Sequence, residues 1–206
     1  MSNESEGKLI VISGPSGVGK STVCSELLKL PRFERVVTAT TRPPRPGEED
    51  GKHYHFLKRK EFEEGLRQGQ FLEHAVVHGQ IYGTPRKDVE EAVGRGKYVL
   101  LNIDVEGARQ IREQRLDRKR GTAAARGEDL NALTKMTTIF LVPPDVKTLE
   151  QRLKGRGTDS KEEIDSRLET ARKEMLEKDK YDHVLVNGDL SQTVQEILRH
   201  IGYATS

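Results

Sequence analysis

The sequence predicts an α/β fold, a parallel sheet flanked by helices, and three observations carry that reading. Short apolar runs alternate with stretches of helical period, the order of a sheet whose strands are joined by crossover helices. The first run, residues 9–12, leads directly into Gly14-Pro15-Ser16-Gly17-Val18-Gly19-Lys20-Ser21. That is the P-loop pattern G-x-x-x-x-G-K-[ST] in the strand-to-helix setting it requires. A length of 206 residues without an internal repeat fits one domain with subdomains.

Each element follows from local pattern. Residues 9–12 read as a buried parallel strand because no polar position interrupts them. Residues 21–28 read as the helix after the glycine-rich turn, with Cys24 as a packing residue. Residues 36–40 read as a strand, 41–51 as a loop rich in Pro, Arg and Gly, and 54–57 as a short strand. Residues 60–69 carry Phe62 and Leu66 at helical spacing. Residues 71–77 and 80–83 read as a strand pair joined at His78-Gly79, and residues 87–95 as a helix stopped by Gly96. Residues 98–104 form the second clear core strand, followed by a helix over 106–115. Residues 116–134 are mostly polar or small and break the rhythm; they are expected to be an exposed, mobile insertion. The third core strand, 136–142, is ended by Pro143-Pro144. A helix over 145–155 starts at Asp145, a long charged helix covers 161–178, residues 183–186 are the last strand, and an amphipathic helix over 190–201 closes the chain.

Composition excludes several classes of protein. Lys and Arg total 35 against 33 Asp and Glu, a near-balance that argues against a broad nucleic-acid surface. The single Cys24 excludes an internal disulfide framework and suits a reducing, cytoplasmic setting. No stretch is apolar enough to span a membrane, and the acidic, polar residues 1–6 do not resemble a signal peptide. His74 and His78 are four apart, but on a strand pattern that spacing does not make a metal pair.

Three clusters carry chemistry. In the first, glycines let the backbone turn tightly and aim N–H groups at phosphate oxygens, while the helix that follows adds the positive end of its dipole. Lys20 is placed to reach the β- and γ-phosphates of a nucleoside triphosphate, and the Ser21 hydroxyl to bind Mg²⁺. Asp104, at the end of an apolar strand, is placed to support the same ion, or else to cap the next helix. The second cluster, Thr41-Arg42-Pro43-Pro44-Arg45-Pro46-Gly47-Glu48, can present two forked donors to one phosphate, with hydroxyls from Tyr54 and Tyr82. From composition alone a solvated basic loop explains it better. The third cluster is Arg152, Arg156 and Arg167, set beside Gly155 and Gly157 like a lid that closes over phosphates. Ordinary helix-surface charge rivals that reading for any one of them. Three phosphate-seeking groups exceed what binding a triphosphate requires and suit transfer between two nucleotides.

These residues resemble guanylate kinase, from about residue 8 to about residue 200. The motifs that carry the resemblance are G-P-S-G-V-G-K-S-T, T-T-R-P-P-R-P-G-E-x-x-G-x-x-Y, F-L-E, I-Y-G-T, N-I-D-V-E-G, R-L-x-x-R-G-T-D-S and V-N-G-D-L. The resemblance implies a P-loop core over about 8–34, 96–154 and 179–203, a small mixed-strand GMP-binding subdomain over about 35–80 and a helical lid over about 155–177. It implies ATP-dependent phosphorylation of GMP and dGMP with Mg²⁺. ATP contacts fall on residues 14–22, which include Pro15, Ser16, Val18 and Thr22, and on Asn187. GMP contacts fall on Thr38, Arg42, Arg45, Tyr54, Tyr82 and Asn102, with Glu73 and Thr84 as guanine readers. Catalytic charge falls on Lys20, Arg42, Arg152, Arg156 and Arg167, and metal ligation on Ser21 and Asp104.

Physical chemistry supports Glu73 separately. Guanine offers N1–H and N2–H₂ side by side to a carboxylate, whereas adenine meets it with an acceptor. Two positions depart from the family pattern: Asn102 stands where an acidic residue is frequent, and Glu106 where Gln is. The amide of Asn102 keeps an acceptor but brings no charge, so affinity is tuned rather than abolished. The expected partners are ATP and GMP, with a monomer or small homo-oligomer. Two other functions share these motifs in part: a P-loop kinase with a different acceptor, and a guanylate-kinase-like module that binds protein.

Overall fold

The first apolar run forms β1 (Lys8–Ser13), in which Leu9, Ile10, Val11, Ile12 and Ser13 are all wholly buried. The computed structural model describes residues 6–119, 131–154 and 160–203. Next in chain order come α1 (Lys20–Leu27), β2 (Phe33–Glu34), β3 (Ala39–Thr40), β4 (His55–Phe56) and α2 (Arg59–Arg67). They are followed by β5 (Phe71–Val77), β6 (Gln80–Pro85), α3 (Arg86–Gly94), β7 (Tyr98–Asn102), α4 (Val105–Lys119) and α5 (Asn131–Thr134). The chain ends with β8 (Met136–Val142), α6 (Val146–Lys154), α7 (Lys161–Met175), β9 (His183–Val186) and α8 (Leu190–His200).

The predicted α/β class holds, with a parallel sheet flanked by helices. Its strand order is β2-β7-β1-β8-β9, and a second sheet has the order β4-β3-β6-β5. The apolar runs of β1, β7 and β8 are buried nearly throughout, as strands covered on both faces must be. Cys24 is buried on α1, the packing role expected of it.

Three local expectations are corrected. The strand expected over 36–40 is confined to Ala39–Thr40, and Phe33–Glu34 forms a strand that the pattern did not reveal. β2 belongs to one sheet and β3 to the other, so Val36 and Val37 carry the chain between sheets despite their β-propensity. The core strand expected over 98–104 ends at Asn102. Of the insertion expected over 116–134, residues 116–119 complete α4 and 131–134 form α5; residues 120–130 lie outside the described residues. Ala132 and Leu133 are wholly buried, and the Ala132 N–H donates to a Glu90 carboxylate oxygen at 2.9 Å, which ties α5 down.

Among the described residues, one compact unit draws on 6–9, 34–99, 106–119 and 131–136, and the other on 10–33, 100–105, 137–154 and 160–203. The four-stranded sheet lies within the first. It is mixed: β3 pairs parallel with β4 and antiparallel with β6, which pairs antiparallel with β5. The β5–β6 hairpin turns at His78 (φ 49°) and Gly79 (φ 77°), two positive-φ residues that match the right-handed strand twist. One face carries a core of Ala39, Phe62, Phe71 and Ile81, with Phe62 of α2 stacked on Phe71 at 4.3 Å. Ladder partners share a face, so Glu73 and Thr84 point to one side, together with Tyr82 two residues along β6.

A register shift between Phe71 and Glu73 makes this possible. A regular strand would turn both side chains to the same face. The bulge at Leu72 leaves Phe71 in the apolar core and brings Glu73 opposite Thr84.

In the second compact unit, α7 begins with a reciprocal cap. Ser160 accepts from the Glu163 N–H at 3.2 Å, and the Glu163 carboxylate accepts from the Ser160 N–H at 2.7 Å. Ile164, Leu168 and Ala171 recur at helical spacing on α7 and pack with Leu149 and Leu153 of α6. Among the described residues no helix is long and apolar enough to cross a membrane.

Candidate active site

The loop between β1 and α1 takes its shape from glycines at positions that side chains cannot enter. Gly14 has φ +140° and Gly19 φ +103°. A Cβ on Gly14 would stand 2.4 Å from the Leu141 carbonyl oxygen, and one on Gly19 2.5 Å from the Asn187 amide nitrogen. The Gly14 neighbour is backbone and cannot rotate away. Gly14→Ala is therefore expected to destabilise the protein by about 2–3 kcal/mol, lowering Tm by about 5–10 °C, measured by thermal unfolding.

The loop is anchored by Asn187, expected among the ATP contacts, and Arg152, expected among the lid arginines. The Val18 carbonyl accepts from the Asn187 side-chain amide at 2.7 Å and from the Arg152 guanidinium at 2.9 Å. Arg152 also donates to the Asn187 carbonyl at 3.0 Å. Gly17, Gly19, Thr22, Arg152, Asn187 and Gly188 are among the residues lining a cavity of about 350 Å³. The Lys20 ammonium folds over the loop and donates to the carbonyls of Gly14 at 2.6 Å and Pro15 at 3.1 Å. The Asn102 amide donates to the Ser21 hydroxyl at 3.1 Å, so Asn102 stands with the P-loop. Asp104 is exposed just ahead of α4. Arg167 lies on α7, one turn after Glu163, while Arg156 lies outside the described residues.

Glu174, near the end of α7, is a residue that sequence reasoning missed. Its carboxylate accepts from the backbone N–H of Ser16, within electrostatic range of Lys20 and Asp104. Burial raises its pKa, more than Lys20 and the Ser16 bond lower it. A half-buried carboxylate thus takes one backbone N–H of the loop. The only sequence signal is a Glu within a highly charged helix, which looks like any solvated face.

The first compact unit gathers the second predicted cluster. Arg42 grips Glu48 with both forks, each at 2.9 Å, and donates to the Pro43 carbonyl at 2.8 Å. Its guanidinium carbon lies 5.5 Å from the centre of the Tyr54 ring, and Tyr82 is a further hydrogen-bond partner. The Tyr54 and Tyr82 rings meet edge-on at 5.9 Å. Glu48, quoted in the motif but given no role, also accepts from the Arg45 backbone N–H at 2.7 Å. The side-chain bond from Arg42, then the Arg45 N–H, hold the Glu48 pKa down at about 2. The Arg45 residue itself is exposed. Thr38 accepts through its carbonyl from the His55 N–H at 2.9 Å. Glu73 is buried, and the buried Thr84 hydroxyl donates to its carboxylate.

A phosphate cradle on a buried parallel strand, with a lysine and a serine at its mouth, marks the chain as an α/β P-loop nucleotide kinase. Comparison with known proteins narrows the class. The guanylate kinase family model matches residues 6–119 and 129–203. The guanylate kinase of Symbiobacterium thermophilum is 42% identical over 198 residues, covering 96% of this chain and 85% of the relative. That of Nostoc sp. is 43% identical over 196 residues, covering 95% and 89%. The crystal structure of guanylate kinase from Anaplasma phagocytophilum superposes with a TM-score of 0.65 at 32% identity, covering 96% of this chain and 86% of that one. The chain belongs to the guanylate kinase family, the kinases that phosphorylate GMP with ATP.

Proposed function

We propose that this chain transfers the γ-phosphoryl group of ATP to GMP, and to dGMP, as a cytoplasmic enzyme of purine nucleotide metabolism. In this reading residues 14–22 and Asn187 hold ATP, with Lys20 on the β- and γ-phosphates. Arg42, Arg45, Tyr54 and Tyr82 hold the GMP phosphate with Thr38, and Asn102 is a further GMP contact. Glu73 and Thr84 read the guanine edge. A GMP phosphate oxygen attacks the γ-phosphorus, and the bond from that phosphorus to the bridging oxygen of ADP breaks. No protein nucleophile is needed, because the work is positioning and charge stabilisation. Arg152, Arg156 and Arg167 neutralise charge on the transferring group.

Ser21 and Asp104 fit Mg²⁺ by their chemistry: both are hard oxygen donors, and the Ser21 oxygen that accepts from Asn102 keeps a lone pair. Few protein ligands are expected, since Mg²⁺ in kinases is held largely through substrate phosphates. Bound there, the ion supplies charge neutralisation at the β- and γ-phosphates.

The observation that carries the reading is the buried Glu73 carboxylate paired with Thr84, on a sheet that also presents Tyr82 beside the Arg42 fork. One side of a small mixed sheet thus offers both a base reader and a phosphate clamp. A coupled assay across GMP, dGMP, AMP, CMP and UMP tests it; turnover of GMP and dGMP at least 10²-fold above the rest is expected. Equal use of AMP would overturn it. Glu73→Gln keeps an acceptor for Thr84 but turns an NH₂ toward the guanine donors. It is expected to lower kcat/KM for GMP about 10²-fold, with little change for AMP.

A further inference from the structure

We propose that Gln110 and Gln114 of α4 are positioning residues for guanine recognition, because they hold the edge of β5 that aims Glu73. The inference rests on the reading of Glu73 as the guanine reader. Among the described residues β5 is an edge strand, and one row of its backbone groups faces no neighbouring strand. Two glutamine side chains one helical turn apart replace that strand. The Gln110 amide accepts from the His74 N–H at 3.0 Å and donates to the His74 carbonyl, also at 3.0 Å. That is the paired exchange a neighbouring strand would make. The Gln114 amide donates to the Leu72 carbonyl at 2.7 Å. Its orientation is fixed from the other side, where its oxygen accepts from Arg86 at 2.8 Å; Arg86 is itself held by the Gly69 carbonyl at 2.9 Å.

These contacts bracket Glu73. Leu72 is the extra residue of the bulge and His74 the next ladder residue after Glu73. The bulge is what turns the Glu73 side chain away from the Phe71 core and toward Thr84. A bulged residue is unpaired by the ladder, so its carbonyl depends on another donor, and Gln114 provides it. Without these amides the β5 edge gains freedom to slip toward the regular register, in which Glu73 would face the core. Gln110 and Gln114 suit both halves of the task, since a side-chain amide carries its N–H donor and its carbonyl acceptor on separate atoms, spaced like those of a backbone peptide group.

The test compares kcat/KM for GMP and IMP in the full chain. IMP carries the same phosphate and N1–H but lacks the 2-amino group, so their ratio isolates base reading from phosphate binding. Gln110→Ala is expected to lower the GMP:IMP ratio about fivefold while KM for ATP stays within twofold. In the Glu73→Gln background the same substitution should change the ratio less than about twofold, the coupling expected of residues that act as one unit. If Gln110→Ala fails to fold, Gln114→Ala is measured in its place with the same expectation. A fall in both substrates together would assign the glutamines to general stability and overturn the proposal. So would a fall in the ratio that persists undiminished in the Glu73→Gln background. If Glu73→Gln alone leaves the ratio unchanged, the guanine-reading assignment fails and the proposal with it. If Glu73→Gln lowers the ratio and neither glutamine variant does, only the proposal fails.

Discussion

Lys20→Ala is expected to lower kcat about 10³-fold, equivalent to about 4 kcal/mol of transition-state stabilisation. The Lys20 ammonium bridges the carbonyls of Gly14 and Pro15, which holds its charge over the mouth of the loop. A triphosphate entering that loop brings negative charge that grows on the β–γ bridging oxygen as the bond breaks. A fixed cation there is worth far more than in water, because no solvent reorganisation is needed at the moment of transfer. The fold should survive. Truncation removes two contacts to carbonyls at a loop, while the Asn187 and Arg152 bonds to Val18 persist. The expected pattern is thus a Tm within about 2 °C of the parent, unchanged affinity for GMP by calorimetry, and turnover near the detection limit. Turnover within tenfold of the parent would remove Lys20 from the chemistry and, with it, the reading of the loop as a donor site.

The different parts of the molecule were not equally legible in the sequence. The turn of the P-loop was legible, because its geometry is enforced locally: positive-φ glycines, a buried strand before them and a helix after. The Arg42 cluster was legible as residues but not as a mechanism. Composition favoured a solvated loop, and what fixes the Arg42 fork is Glu48, whose partners lie within six residues and yet follow no helix or strand period. Glu73 could be justified by the chemistry of guanine, but its direction could not. A period of two from Phe71 puts it in the apolar core, and the bulge at Leu72 that reverses this depends on α4, far away in the chain. Glu174 was hidden for a similar reason: only the packing of Ile164, Leu168 and Ala171 with α6 sets which of the many charges on α7 faces inward. Residues 36–38 erred in the other direction, since β-propensity cannot reveal that the chain is passing between two sheets there.

Arg42→Ala is expected to lower kcat/KM for GMP about 10²- to 10³-fold with KM for ATP unchanged, and Arg42→Lys should recover no more than about tenfold of the loss. Charge alone would be restored by lysine, but the contacts that hold Arg42 depend on its planar shape. Two parallel bonds of 2.9 Å lock its plane on Glu48, a third bond of 2.8 Å goes to Pro43, and its face lies against Tyr54. An ammonium can keep one of the bonds to Glu48 and cannot lie flat over the ring. The same pairing sets how the clamp responds to acid. Glu48 is held at a pKa of about 2, below its ordinary 4.5, by the Arg42 side chain first and the Arg45 N–H second. A depressed carboxylate contributes its stabilisation above its unfolded pKa and loses it only as pH falls through the folded value. The clamp should therefore persist through mild acid, and GMP affinity measured by calorimetry from pH 7 to pH 5 should show no loss traceable to Glu48. In Glu48→Gln the carboxylate that fixes the fork is gone while Arg42 keeps its charge, so GMP affinity should fall about tenfold across that whole range. An unchanged affinity in Glu48→Gln would mean that Arg42 acts as a bare charge, and then Arg42→Lys should rescue activity almost fully.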